Sequence, residues 1–239
     1  MKILILQHAR SEHSGSFRNF LKSDNHAFFS VHLDEGEKLP DLNNFDALWV
    51  LGGPMDVWEE DKYPWLLKEK IFIHNAVKNN EMPFLGLCLG HQLLAEALEG
   101  KCGKGHTPEI GVQHIDLTVE GVKDPLFKGM PQSLICLQWH GAEVQKIPVG
   151  AANLATSKDC RIQAMRWGEK AYSVQFHIEV EIDTVKNWSK IPTYLQALQS
   201  SLGENGAKKL QTDCAKNIHT FNSLAKQFYE NWIYVAETS

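Results

Sequence analysis

Three observations predict an α/β fold for this 239-residue chain, with a mainly parallel central sheet flanked by helices, a small antiparallel section and a helical C-terminal extension. The N-terminal third alternates short, continuously apolar runs with helix-compatible stretches, the pattern of strands covered on both faces. The middle breaks into short, partly alternating segments separated by turn residues, as antiparallel or mixed strands do. From about Glu181 onward the pattern is helical.

Ile3 to Gln7, Phe28 to Leu33, Ala47 to Leu51 and Pro83 to Cys88 read as the buried strands. Tyr63 to Asn79 reads as a helix: Glu59, Glu60 and Asp61 precede it and Pro64 falls near its first turn, where acidic groups and proline are both favoured. Val112 to Val119, Leu134 to Trp139, Asn153 to Thr156, Ile162 to Trp167 and Tyr172 to Phe176 form the antiparallel or mixed section. A last helix is expected between Gly206 and Trp232. Without repeats or a linker-like stretch, residues 1–239 read as a single domain, with about 190–239 its helical extension.

Composition narrows the function. With 43% hydrophobic and 22% charged residues the chain is ordinary globular material, and its net charge is −5. No cluster of lysines and arginines stands out, so neither nucleic acid nor an anionic membrane is an expected partner. No apolar stretch approaches the roughly 20 residues needed to span a bilayer. The opening MKILILQHARSEH holds too short an apolar run for a signal peptide. Five cysteines, odd in number and without a CxxC pair, point to a reducing cytoplasm rather than a disulfide framework.

The segment PFLGLCLGHQLLAEAL carries the chemistry. Gly86-x-Cys88-x-Gly90 stands where an apolar strand gives way to an amphipathic helix, with the spacing of a nucleophile elbow. A cysteine on such a turn lies near a helix N-terminus, which favours the thiolate. The turn also directs the Leu89 N–H towards an oxyanion growing beside the sulfur. On the pentapeptide alone, a buried structural cysteine beside two helix-packing glycines is an equal account.

A thiolate nucleophile needs a base and a group that orients it. Of 11 histidines, His177 stands out because Glu179 lies two residues on, on the same face of a plausible strand. An ordinary solvent-facing pair at a strand end is the competing account. Zinc is not expected, because no second Cys or His stands at ligand spacing. Gly52-Gly53-Pro54, after another buried strand, offers the Gly53 N–H as a second oxyanion donor. The strength of the reading lies in three features each placed at the end of its own strand, the edge where parallel α/β sheets bind ligands.

Together, GGPMD at 52–56, GLCLGHQ at 86–92 and FHIE at 176–179 resemble the triad-type class I glutamine amidotransferases. Glu109-Ile110-Gly111 is similar to that family's EIG segment, and Gln138-Trp139-His140-Gly141 to the SHGD region of the amidotransferase domain of GMP synthase. The resemblance runs from about residue 1 to about residue 190. It implies the flavodoxin-like fold of that family, Cys88 as nucleophile, His177 as base and Glu179 as its orienting carboxylate. It also implies an oxyanion hole from Gly53 and Leu89, and a substrate site that includes Gln92 and, around the SHGD-like segment, Gln138, Trp139 and His140. No cofactor or metal is implied.

Two departures stand out. Ile178 replaces the family's usual proline between His177 and Glu179, and no synthase domain follows residue 190. The main expectation is therefore glutamine hydrolysis through a γ-glutamyl thioester, with ammonia passed to a separate synthase subunit. The alternative is a stand-alone γ-glutamyl hydrolase acting on peptides or amines, and a third is a non-catalytic binding module. His8, His13, His26, His32 and His74 are expected to share no role, and His91 either touches substrate or is structural. Trp58 is read as shaping the substrate mouth, and Tyr194, Phe221, Phe228, Tyr229 and Trp232 as packing the last helices on the core.

Overall fold

The structure, a computed structural model, describes residues 1–238. The strands are β1 (Lys2–Gln7), β2 (Ala27–His32), β3 (Ala47–Val50), β4 (Phe84–Leu87), β5 (Lys101–Leu117), β6 (Ser133–Lys146), β7 (Ala151–Thr156), β8 (Ala164–Trp167) and β9 (Ala171–Val174). They form one sheet in the order β2-β1-β3-β4-β9-β8-β7-β5-β6. Strands β2, β1, β3, β4 and β9 run parallel, while β8, β7, β5 and β6 each join antiparallel. The order 2-1-3-4 followed by one more parallel strand is the flavodoxin-like arrangement, whose ligand crevice lies at the carboxyl ends of the strands.

The antiparallel part exceeds the small section expected, because β5 and β6 form a hairpin of 17 and 14 residues. Lys101 to Pro108 carries two glycines, a proline and no alternation, so it gives no strand signal. Pairing of Lys101–Lys104 with Ala142–Lys146, across a register shift before Glu109, holds it extended. Tertiary pairing overrides local preference there.

The helices are α1 (Phe17–Ser23), α2 (Trp65–His74), α3 (Leu89–Ala97), α4 (Val119–Lys123), α5 (Thr184–Trp188), α6 (Pro192–Leu202) and α7 (Gly206–Thr238). They explain why β1, β3, β4 and β9 are buried along nearly their whole length; β2, expected as a buried strand, lies at the sheet edge and is only half-buried, with Phe29 exposed. In β1, Ile3 and Ile5 face one core with Trp49, Phe228 and Trp232, while Leu4 and Leu6 face the other with Leu66, Ile73 and Leu93. Helix α7 is integral to the first core: Trp232 stands edge-on to Trp49 at 5.2 Å between centroids and donates from Nε1 to the Phe84 carbonyl at 3.2 Å. Phe228 stacks on Phe17 at 6.1 Å. All five tail aromatics pack on the core as expected, Phe221, Phe228, Tyr229 and Trp232 buried within it and Tyr194 against Trp139 and Trp188, where it also lines a cavity. No helix among the described residues is long and apolar enough to cross a membrane.

Candidate active site

Cys88 follows β4 and caps α3 with φ 52° and ψ −102°, a conformation rarely adopted by an L side chain. The flanking glycines make the turn possible. A Cβ on Gly86 would lie 2.5 Å from the Gly90 carbonyl oxygen, and one on Gly90 would lie 2.0 Å from that of Val50. Leu89 begins α3, so its N–H has no intrahelical acceptor and remains available beside the sulfur. Burial pushes the other thiols up, Cys160 and Cys214 to about 12 and Cys102 and Cys136 in the same direction. All five cysteines are free and buried.

The segment after β9 brings the expected partners to Cys88. His177 exchanges backbone hydrogen bonds with Leu137 of β6, both 2.9 Å, which places its ring against Trp188 at 4.7 Å. Its Nδ1 contacts Glu179 Oε1 at 2.6 Å, and the Cys88 sulfur stands close enough to the ring to raise its pKa. Burial alone would lower the His177 pKa, but the Glu179 carboxylate and the Cys88 sulfur outweigh it and hold the imidazole well above its ordinary range. Cys88, His177 and Glu179 therefore converge.

A cavity of about 280 Å³ opens at the thiol. Gly53, Cys88, Leu89 and Gln92 line one side, Trp139, His140, Gly141 and Ala142 another, and Thr193, Tyr194 and Ala197 of α6 the third. Gln92 donates from Nε2 to Gln175 Oε1 at 3.1 Å and to the Ala142 carbonyl at 3.3 Å, which leaves its own Oε1 to offer a ligand. Gln138 does not line the cavity: opposite Gly111 in the middle of the β5–β6 pair, it is fully buried with both amide atoms unpartnered. Trp58 also lies outside the lining and packs on the core beneath α2 and α3. His91 is structural, held between Ser173 Oγ at 2.8 Å and the Ile162 carbonyl at 3.2 Å, with burial lowering its pKa to about 3.

Several residues at the site lie outside the motifs. Gln175 donates to Cys88 Sγ at 3.5 Å. His8 and Glu12 follow β1, the strand beside β3 at the point where the chain order reverses. That position is the signal that marks them. Glu12 is buried beside Gly52, faces His177, Tyr194, Glu179 and His8, and has its pKa raised to about 7, first by burial. Asp56 is the carboxylate of the cavity wall, raised by burial and by Glu59, and no Lys or Arg lines the cavity among the described residues. Glu109 and Cys160, both buried and outside the cavity lining, bring potential metal-ligand atoms within 4.8 Å of each other and of His140, which does line it. Glu109 there already accepts from Ser157 and Gln163, both at 2.7 Å, in a network that ties β5 to the β7–β8 turn.

A family model described as glutamine amidotransferase class-I matches residues 21–187. The chain belongs to that family. It is 33% identical over 168 residues to a glutamine-hydrolyzing GMP synthase subunit of Sulfolobus acidocaldarius, covering 68% of this chain and 85% of that one. It is 30% identical over 190 residues to the glutamine amidotransferase-like protein YfeJ of Salmonella typhimurium, covering 78% and 79%. Among solved structures, a glutamine amidotransferase from Thermotoga maritima superposes with a TM-score of 0.87 at 29% identity, over 100% of this chain and 99% of the other. The family model stops short of α6 and α7, whereas the likeness to the Thermotoga structure includes them.

Proposed function

We propose that this amidotransferase-family protein cleaves γ-glutamyl amides, glutamine first among them, through a thioester on Cys88. The Cys88 sulfur attacks the γ-carbonyl carbon, and the oxyanion is held by the N–H groups of Gly53 and Leu89. His177, carrying the thiol proton, passes it to the nitrogen as the C–N bond breaks and ammonia leaves. Water, deprotonated by His177, then attacks the thioester and releases glutamate. Glu179 keeps the His177 ring in the orientation and tautomer that both steps need. Gln92, Trp139 and His140 would contact the substrate from the cavity wall, while the buried Gln138 would support that wall from beneath. Asp56 offers a carboxylate to the α-ammonium group. What supports the reading is a strained thiol that opens on a cavity also lined by Gly53 and Leu89, with an imidazole near it that is held 2.6 Å from its carboxylate.

Two destinations for the nitrogen follow. Delivery of ammonia to a separate synthase draws support from the Sulfolobus relative, which is named as one subunit of such an enzyme. Stand-alone hydrolysis of γ-glutamyl peptides or amines draws support from Thr193, Tyr194 and Ala197, which wall the cavity with the chain's own extension. Incubating the purified full chain with glutamine, γ-glutamyl peptides and γ-glutamyl amines, with mass-spectrometric detection of glutamate, tests both. Release from glutamine with little from peptides selects the first, and efficient release from peptides or amines selects the second. No release above that of Cys88→Ala overturns the proposal.

A further inference from the structure

His8 and Glu69 form a fully buried pair that the triad does not use. Ring Nε2 lies 2.9 Å from Glu69 Oε1, and ring Nδ1 lies 2.8 Å from the Gly52 carbonyl oxygen. A carbonyl can only accept, so Nδ1 carries hydrogen. The ring stacks on Trp65 of α2 at 5.5 Å, which excludes water from the pair. A buried ion pair is weak evidence for stability, because desolvation offsets most of its attraction. Its placement is more informative.

Gly52 and Gly53 share a trans peptide, in which C=O and N–H point in opposite directions. A donor gripping the Gly52 oxygen therefore sets where the Gly53 N–H points, and Gly53 lines the cavity with Cys88 and Leu89. We infer that His8, braced by Glu69, is a positioning residue for the oxyanion hole: it fixes the Gly52–Gly53 peptide plane so that the Gly53 N–H meets the oxyanion formed at Cys88. The inference rests on the γ-glutamyl chemistry proposed above. The grip also polarises the peptide, strengthening its N–H as a donor in a dry site. Such a contact matters most after the carbonyl oxygen has become charged, so it acts on the transition state more than on substrate binding.

The test compares wild type, His8→Leu, His8→Asn and Glu69→Gln as full chains, by steady-state kinetics on a turned-over γ-glutamyl substrate and by inhibition with an aldehyde analogue of glutamine, which forms a tetrahedral adduct with a thiol. For His8→Leu we expect kcat to fall about 100-fold with KM held within about threefold, and aldehyde affinity to fall about as far as kcat. His8→Asn places Nδ2 where the ring Nδ1 stood and is expected to recover activity to within about tenfold of wild type. An unchanged kcat in His8→Leu overturns the inference, as does a loss of substrate and aldehyde affinity in equal measure. Should His8→Leu fail to fold, Glu69→Gln decides through the same ratio of aldehyde to substrate affinity. Wild-type turnover no faster than Cys88→Ala would remove the reaction itself and this role with it. Active wild type with unaffected His8 and Glu69 variants removes this role alone.

Discussion

The backbone N–H of Ile178 donates to Glu179 Oε2 at 3.0 Å, while Glu179 Oε1 faces His177 at 2.6 Å. One carboxylate is thus held at both oxygens by consecutive residues. A proline at 178 stiffens the backbone but has no N–H to donate. Here isoleucine supplies the missing order differently, by a hydrogen bond to the orienting carboxylate and by burying its side chain in the core shared with Phe176 and Val174. The departure from His-Pro-Glu leaves the His177–Glu179 contact intact.

Glu179→Gln is expected to lower kcat about 100-fold or more and to move the alkaline limb of the pH–rate profile to lower pH. The reason is that burial lowers the His177 pKa and Glu179 is the largest influence raising it. A raised folded value means that His177 adds stability fully present below its unfolded value, about 6.5, and lost as pH rises through the folded value. Urea unfolding across pH should show that slope in wild type and a flatter one in the variant. An unmoved alkaline limb would count against the pairing.

Cys88→Ala is expected to abolish hydrolysis and leave a folded protein with the same backbone strain. Cys88→Gly should be equally inactive yet more stable than Cys88→Ala by about 1 kcal/mol, because glycine adopts positive φ freely. Denaturant midpoints of the two variants check this order. A glutamine-like alkylator, 6-diazo-5-oxo-norleucine, should label Cys88 and spare the four other buried thiols, as peptide mass spectrometry would reveal.

Glu12 should make the protein lose stability as pH rises. Its folded pKa of about 7 stands above the ordinary 4.5, so between those values the folded chain keeps a proton that the unfolded chain has released. The contribution is most favourable below about 4.5 and declines up to neutrality, and the stability lost by then is about 3 kcal/mol at most. Glu12→Gln is therefore expected to be more stable than wild type at pH 8, with the difference shrinking towards pH 5. Equal differences at both pH values would rule out this titration.

Trp232→Ala is expected to cost about 3–5 kcal/mol, the range for removing a large aromatic from a packed core. It would forfeit the edge-on contact with Trp49 and the bond to the Phe84 carbonyl. Removal of residues 206–239 should for the same reason leave insoluble or molten protein, measurable by near-ultraviolet circular dichroism. Native-like spectra after truncation would make the last helix an appendage.

Sequence alone carried the alternation of buried strands and helices, the elbow at Cys88 and the His177–Glu179 spacing, because each depends on neighbours within a few residues. Local period fixes which faces are apolar, and glycines flanking a cysteine announce a tight turn. The extended stretch Lys101–Pro108, the burial of Gln138 and the entry of Tyr194 into the cavity wall had no local signal. They arise from pairing and packing between segments far apart in the chain. The same holds for His8, Glu12 and Glu69: ordinary polar residues in sequence, they acquire perturbed or paired states only where β1, α2 and the loop after β3 enclose them away from water. Motifs name the reacting atoms, but desolvation and hydrogen-bond direction, which decide how those atoms behave, exist only once distant segments meet.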